Sequence, residues 1–132
     1  LKYYIPAQIS GCLFGVMLAN VFFEHALLEL STKNRDGLHI FFSEIVATFG
    51  LIFIIFATLK DGKTIVAISV ATYISAGYWF TSSTSFANPA VSIARTFTDS
   101  FTGINYLNTP TYILAEFIGL ILAAYILKII YK

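Results

Sequence analysis

Residues 81–95 read Thr81-Ser82-Ser83-Thr84-Ser85-Phe86-Ala87-Asn88-Pro89-Ala90-Val91-Ser92-Ile93-Ala94-Arg95, a run of small hydroxyl residues that leads into a helix start. Asn88 suits the N-cap, and Pro89 suits the first helical position, where its missing N–H costs nothing. The Asn88 amide can donate hydrogen bonds to a hydroxyl oxygen. A helix from Pro89 to about Thr98 is ~15 Å long, half the thickness of a bilayer's hydrocarbon core. Such a segment dips in, forms a half-helix and returns without crossing. Its N-terminus points about half a positive charge inward, which in a pore opposes protons and other cations and leaves neutral solutes free.

Other chemistry is sparse. Cys12 is the one cysteine and lies in an apolar run, so no internal disulfide forms. There is no Cys/His cluster, no paired histidine spacing and no Ser–His pair within the apolar runs. No enzyme activity, metal or cofactor is expected. His25 and His39 flank a polar loop and read as ordinary loop histidines. Glu44, in Ser43-Glu44-Ile45-Val46-Ala47-Thr48, is an ionisable group inside an apolar stretch. Such a group is expensive unless partnered, so it either finds a polar partner or reaches to the interface. Glu116, six residues past Pro110, is open between an interior and an interfacial place.

The elements that must position these residues are apolar. Of 132 residues 58% are hydrophobic and 11% charged, and mean hydropathy is +0.80. A soluble domain of this size needs a larger polar fraction. Four apolar stretches stand out, about 3–23, 38–59, 64–80 and 110–131. A membrane helix needs ~20 residues, with ~17 the lower limit, and backbone in lipid must satisfy its own hydrogen bonds, so helices are expected. Membrane strands would be ~10 residues with in/out alternation, which these runs lack. The expected fold is therefore all-α transmembrane: four spanning helices plus one re-entrant loop and half-helix, about 81–98, in a single membrane domain over 1–132.

Charge orients the bundle. If all four stretches cross, Lys2, Lys60, Lys63, Lys128 and Lys132 share one side. Lys33 and Arg35 lie on the other with Glu24, Glu29 and Asp36. The lysine-rich side is expected to be cytoplasmic, which places both ends of the segment there. A net charge of +1 makes no case for nucleic-acid binding. Tyr3, Tyr4, Tyr78, Trp79, Tyr112 and Tyr131 fall near span ends and read as interfacial belts.

The first and last stretches are alike. Tyr4-Ile5-Pro6-Ala7-Gln8-Ile9-Ser10-Gly11 aligns with Tyr112-Ile113-Leu114-Ala115-Glu116-Phe117-Ile118-Gly119. Three crossings separate their starts, so the helices run in opposite directions, as in an inverted repeat. Chance similarity of two apolar helices is the other reading.

Asn88-Pro89-Ala90 ahead of a short half-helix, after three spans and before one, resembles the second signature loop of the major intrinsic proteins, the aquaporin and glycerol facilitator family. The tripeptide alone is a weak signal; at that place among four spans it is strong. The four stretches look like the family's third to sixth helices, and Gln8 matches a polar position near the start of the third. The resemblance implies a six-span inverted-repeat bundle, so two further spans and another signature loop are expected ahead of Leu1, which no basic-then-apolar leader opens. It implies a passive channel for water or small uncharged solutes, in a lipid bilayer, as a homotetramer. In it Glu44 looks like the fourth-helix glutamate that braces the re-entrant loop.

The sequence departs from the family at the outer constriction. Water channels usually carry arginine directly after the tripeptide; here that residue is Val91. Arg95 lies one turn later on the same helix face. It either reaches the pore mouth or pairs with Asp99, its i+4 neighbour. Carried over by spacing, the other constriction candidates are Ser85 and Ala76. With Val91 they make a wider opening than a strict water filter. Residues 83–91 resemble bacterial members of the family, some of which conduct small polyols or metalloid hydroxides, and a bacterial inner membrane is the expected location. The alternative is a non-conducting membrane subunit or structural fragment that needs a partner half to form a pore.

Overall fold

The computed structural model describes residues 2–131; Leu1 and Lys132, the latter among the orienting lysines, lie outside the described residues. All regular structure among them is helical: α1 (Tyr4–Phe22), α2 (Leu38–Thr58) with a 3-10 turn at Leu59–Asp61, α3 (Lys63–Phe80), α4 (Pro89–Ala94) with a 3-10 turn at Arg95–Phe97, and α5 (Thr109–Ile130). Three are long and apolar enough to cross a membrane: α1, α2 with its turn, and α5. The 18-residue α3 is outside that set, because Lys63, Thr64, Ser69, Thr72, Tyr73, Ser75 and Tyr78 dilute its apolar content.

Local chemistry sets where helices begin and end. Each of the three prolines, Pro6, Pro89 and Pro110, falls in the first turn of a helix, where an N–H has no partner to lose. Gly37 and Gly62 precede α2 and α3 with φ of +117° and +96°, values that favour glycine. Near the end of α2 the Thr58 hydroxyl donates back to Ile54 O at 2.8 Å, ahead of the polar Lys60-Asp61-Gly62 turn.

The chain divides into two compact units. The first holds the chain up to Asp36 with Asn88–Ile113; the second holds Gly37–Ala87 and the chain from Leu114 on. In the first, α1 packs against α4 and the turn after it. Asn20, 1% exposed, ties the end of α1 down: Nδ2 donates to Phe97 O at 3.0 Å and Leu27 O at 3.3 Å, and Oδ1 accepts from the Thr98 hydroxyl. The polar loop after α1 is sewn to residues 95–108. Ser31 N donates to Thr96 O at 2.9 Å and Asn105 N to Lys33 O at 2.8 Å. Arg35 Nε donates to Gly103 O and Nη2 to Phe101 O, both at 2.7 Å. A Cβ on Gly103 would lie 2.1 Å from Thr98 O, so only glycine fits.

In the second unit α2 packs against α3. The Tyr73 hydroxyl donates to Ala47 O at 3.0 Å, and the bare Cα of Gly50 leaves room for it, since a Cβ there would lie 2.2 Å from the phenol oxygen. Gly119 of α5 sits against α2, where a Cβ would lie 2.6 Å from Ile45 O. Small residues let membrane helices approach this closely. Gly11, the counterpart of Gly119 in the repeat-like alignment, has nothing within 4 Å. Outside these contacts Phe14, Leu18, Val46, Phe56, Leu114 and Ile121 are exposed, an apolar surface suited to hydrocarbon.

Candidate functional site

The second unit holds the loop that precedes the signature in the chain. Glu44, wholly buried on α2, faces the end of the hydroxyl-rich loop. Its Oε1 accepts the Ala87 N–H at 2.5 Å and Oε2 the Phe86 N–H at 3.4 Å. Ser43 Oγ accepts the Ser82 N–H at 3.0 Å. Between these anchors Thr84, Ser85 and Ala87 have φ of +62°, +50° and +49°. Each costs on the order of 1–2 kcal/mol for an L-residue, and a β-branched residue such as Thr84 is an outlier there. The acceptors of α2 hold this backbone, which hydrogen bonding within a helix or sheet would not.

Ser85 is 3% exposed, and its hydroxyl is buried without a hydrogen-bond partner, like that of Thr48. Gly77 of α3 gives it space, since a Cβ there would lie 2.6 Å from Ser85 Oγ. Ala76, beside Gly77, is exposed. Helix α3 and the loop therefore meet at the neighbour of one constriction candidate and at the other itself.

The first unit carries the signature. Asn88 caps α4, its Oδ1 accepting the Ala90 N–H at 2.9 Å, while Asn88 O accepts the Val91 and Ser92 N–H groups at 3.0 Å. Asparagine and proline thus take the N-cap and first position, as their backbone preferences dictate. Val91 and Arg95 line one cavity of about 260 Å³ with Cys12, Val16, Ala94 and Thr98. The cavity is apolar on the α1 side and has hydroxyls and one guanidinium on the other.

Over 125 residues the chain is 42% identical to the aquaglyceroporin AqpS of Rhizobium meliloti (strain 1021). The match covers 95% of this chain and 54% of that protein, so the chain spans about half the length of the curated relative. Over that stretch the chain resembles a fragment of a major intrinsic protein. No family model matches it, and no solved structure does.

That likeness and the three helices long and apolar enough to cross a membrane make the chain an integral membrane protein. Burial and partners bear on two residues that spacing left open. Glu116 is buried within the protein at 1% exposure. The carboxylate of Asp99 is engaged by Thr32, whose N–H donates at 2.7 Å and whose hydroxyl donates at 3.0 Å; Arg95 is not among its partners. The Thr32 N–H, then the Thr32 hydroxyl, hold the Asp99 carboxyl below its ordinary value. His25 is paired through Nδ1 with Glu29 Oε1 at 2.6 Å in the loop after α1.

Sequence reasoning missed two parts of this arrangement. The left-handed backbone at Thr84, Ser85 and Ala87 involves no glycine, so nothing in residue type announced it. The buried Asn20 clamp was hidden inside an apolar run; a lone asparagine near a helix end was its one signal.

Proposed function

We propose that the full-length protein is a passive channel for water and small uncharged solutes, of the size of glycerol or a metalloid hydroxide, that excludes ions. The observation that carries this is the pair of backbone arrangements joined at Ala87–Asn88: a loop held in left-handed conformation by the Glu44 carboxylate, then a short helix capped by Asn88. Irregular backbone at membrane depth is tolerated against protein or a water-filled cavity. In this reading α3 is a fourth crossing and the segment at about 81–98 re-enters from outside. The lysine-rich ends face the cytoplasm of a bacterial inner membrane, and protomers assemble as tetramers that each carry a pore.

Glu44 braces the loop. Ser85, with its buried unpartnered hydroxyl, offers a hydrogen bond to a passing solute, and neither Ala76 nor Val91, the other constriction candidates, carries a polar side chain. Arg95 stands one turn from the position of the usual filter arginine and keeps the mouth positive. The name of the relative, an aquaglyceroporin, agrees with a pore that admits more than water. Liposomes holding the full-length protein test the reading by light scattering under water, glycerol and urea gradients. Relaxation no faster than in empty liposomes would leave a non-conducting subunit.

A further inference from the structure

In the second unit the ends of α2 and α5 enclose a hollow of about 620 Å³. Its walls are Phe56, Leu59 and Leu127, and Lys60, Lys128 and Tyr131 also line it. Leu127 forms the buried floor at 5% exposure, while Phe56 and Leu59 are each more than half exposed. Lys60 and Lys128 are exposed, and the Lys60 ammonium lies 5.8 Å from the centroid of the Tyr131 ring. A cation over an aromatic face is attracted to it, which holds this ammonium beside the opening. Among the described residues no carboxylate lines the hollow.

Both flanking helices are long and apolar enough to cross a membrane, and the hollow lies where they end. That level is the boundary between hydrocarbon and headgroups. An apolar floor with two ammoniums and a phenol at that boundary matches one class of molecule in charge and in polarity. We propose that this hollow binds an anionic glycerophospholipid. Its phosphate lies between Lys60 and Lys128 as a charge-assisted acceptor, and an acyl chain runs along Phe56, Leu59 and Leu127. Clustered basic side chains at a membrane helix end are a general mode of anionic-lipid recognition. Lysines placed only to complement helix C-termini would not require the apolar floor. The proposal rests on membrane embedding and not on solute conduction.

Native mass spectrometry of the full-length protein, released from detergent with added phosphatidylglycerol or phosphatidylcholine, tests it. Saturable phosphatidylglycerol adducts are expected, with phosphatidylcholine adducts weaker. In the double variant Lys60→Gln/Lys128→Gln, phosphatidylglycerol occupancy falls about tenfold and phosphatidylcholine occupancy is unchanged. Leu127→Trp, which fills the floor, lowers occupancy with both lysines present, and Lys60→Arg/Lys128→Arg retains it. Equal occupancy of the two lipids, undiminished phosphatidylglycerol binding in the glutamine variant, or glycerol 3-phosphate binding as tightly as the lipid would each overturn the assignment. None of these readouts depends on flux.

Discussion

The Glu44 carboxylate accepts the backbone N–H of Ala87 at 2.5 Å across 43 positions of chain. It accepts that of Phe86 as well, and it is fully buried. One side chain of α2 thus accepts from two successive donors of the loop.

Truncation at Glu44 therefore costs more than one contact. Glu44→Ala removes an acceptor from both N–H groups, and a buried donor that loses its acceptor costs about 1–3 kcal/mol. Glu44→Gln keeps one oxygen acceptor and loses less. Thermal unfolding of the full-length protein in detergent should rank wild type above Glu44→Gln and Glu44→Ala lowest. An alanine variant as stable as wild type would remove Glu44 from the support of the loop.

How much of this was legible in the sequence differs by level. Helical character follows from long, uniformly apolar runs, because lipid leaves the backbone no other economical choice. The helix start at Asn88–Pro89 follows from backbone preference alone. The position of Glu44 invited a partner, but only the folded chain shows that Phe86 and Ala87 are that partner. The left-handed residues were not legible: Thr84 and Ser85 are ordinary residues in a loop that α2 holds on either side of them, at Ser82 through Ser43 and at Phe86 and Ala87 through Glu44. Arg95 and Asp99 show the converse, since i+4 spacing permits a pair that Thr32 pre-empts.

Asp99 makes the loop after α1 sensitive to acid. Its folded-state pKa lies below the ordinary 3.8, through the N–H and hydroxyl of Thr32. A depressed carboxylate pKa contributes stability above the unfolded value, lost as pH falls through the folded one. Protection of the Thr32 amide from hydrogen exchange should hold near neutral pH and decline below the ordinary value. In Asp99→Asn the protection should not change with pH over that range. An acid-insensitive wild type would contradict the pairing.

Asn88→Asp separates capping from conduction. Aspartate caps a helix about as well as asparagine, within ~0.5 kcal/mol, so α4 and the unfolding midpoint should be retained. The variant places a carboxylate at the proposed constriction, and neutral-solute flux in liposomes should fall. Unchanged flux would take Asn88 out of the pore.

Val91 is the proposed reason for a wide outer opening. Val91→Arg inserts a long cation beside Arg95 in a cavity of about 260 Å³. Glycerol flux should drop by about tenfold while water flux falls much less, because opening size and lining groups set such selectivity. Equal loss of both would mean the substitution blocks the path without filtering it.

Stopped-flow light scattering on liposomes holding the full-length protein bears most directly on conduction. Under water and glycerol gradients, relaxation several times faster than in empty liposomes is expected, with no rise in proton or potassium leak. Relaxation matching empty liposomes in both gradients, or a proton leak that rises with protein content, would contradict a passive pore for neutral solutes.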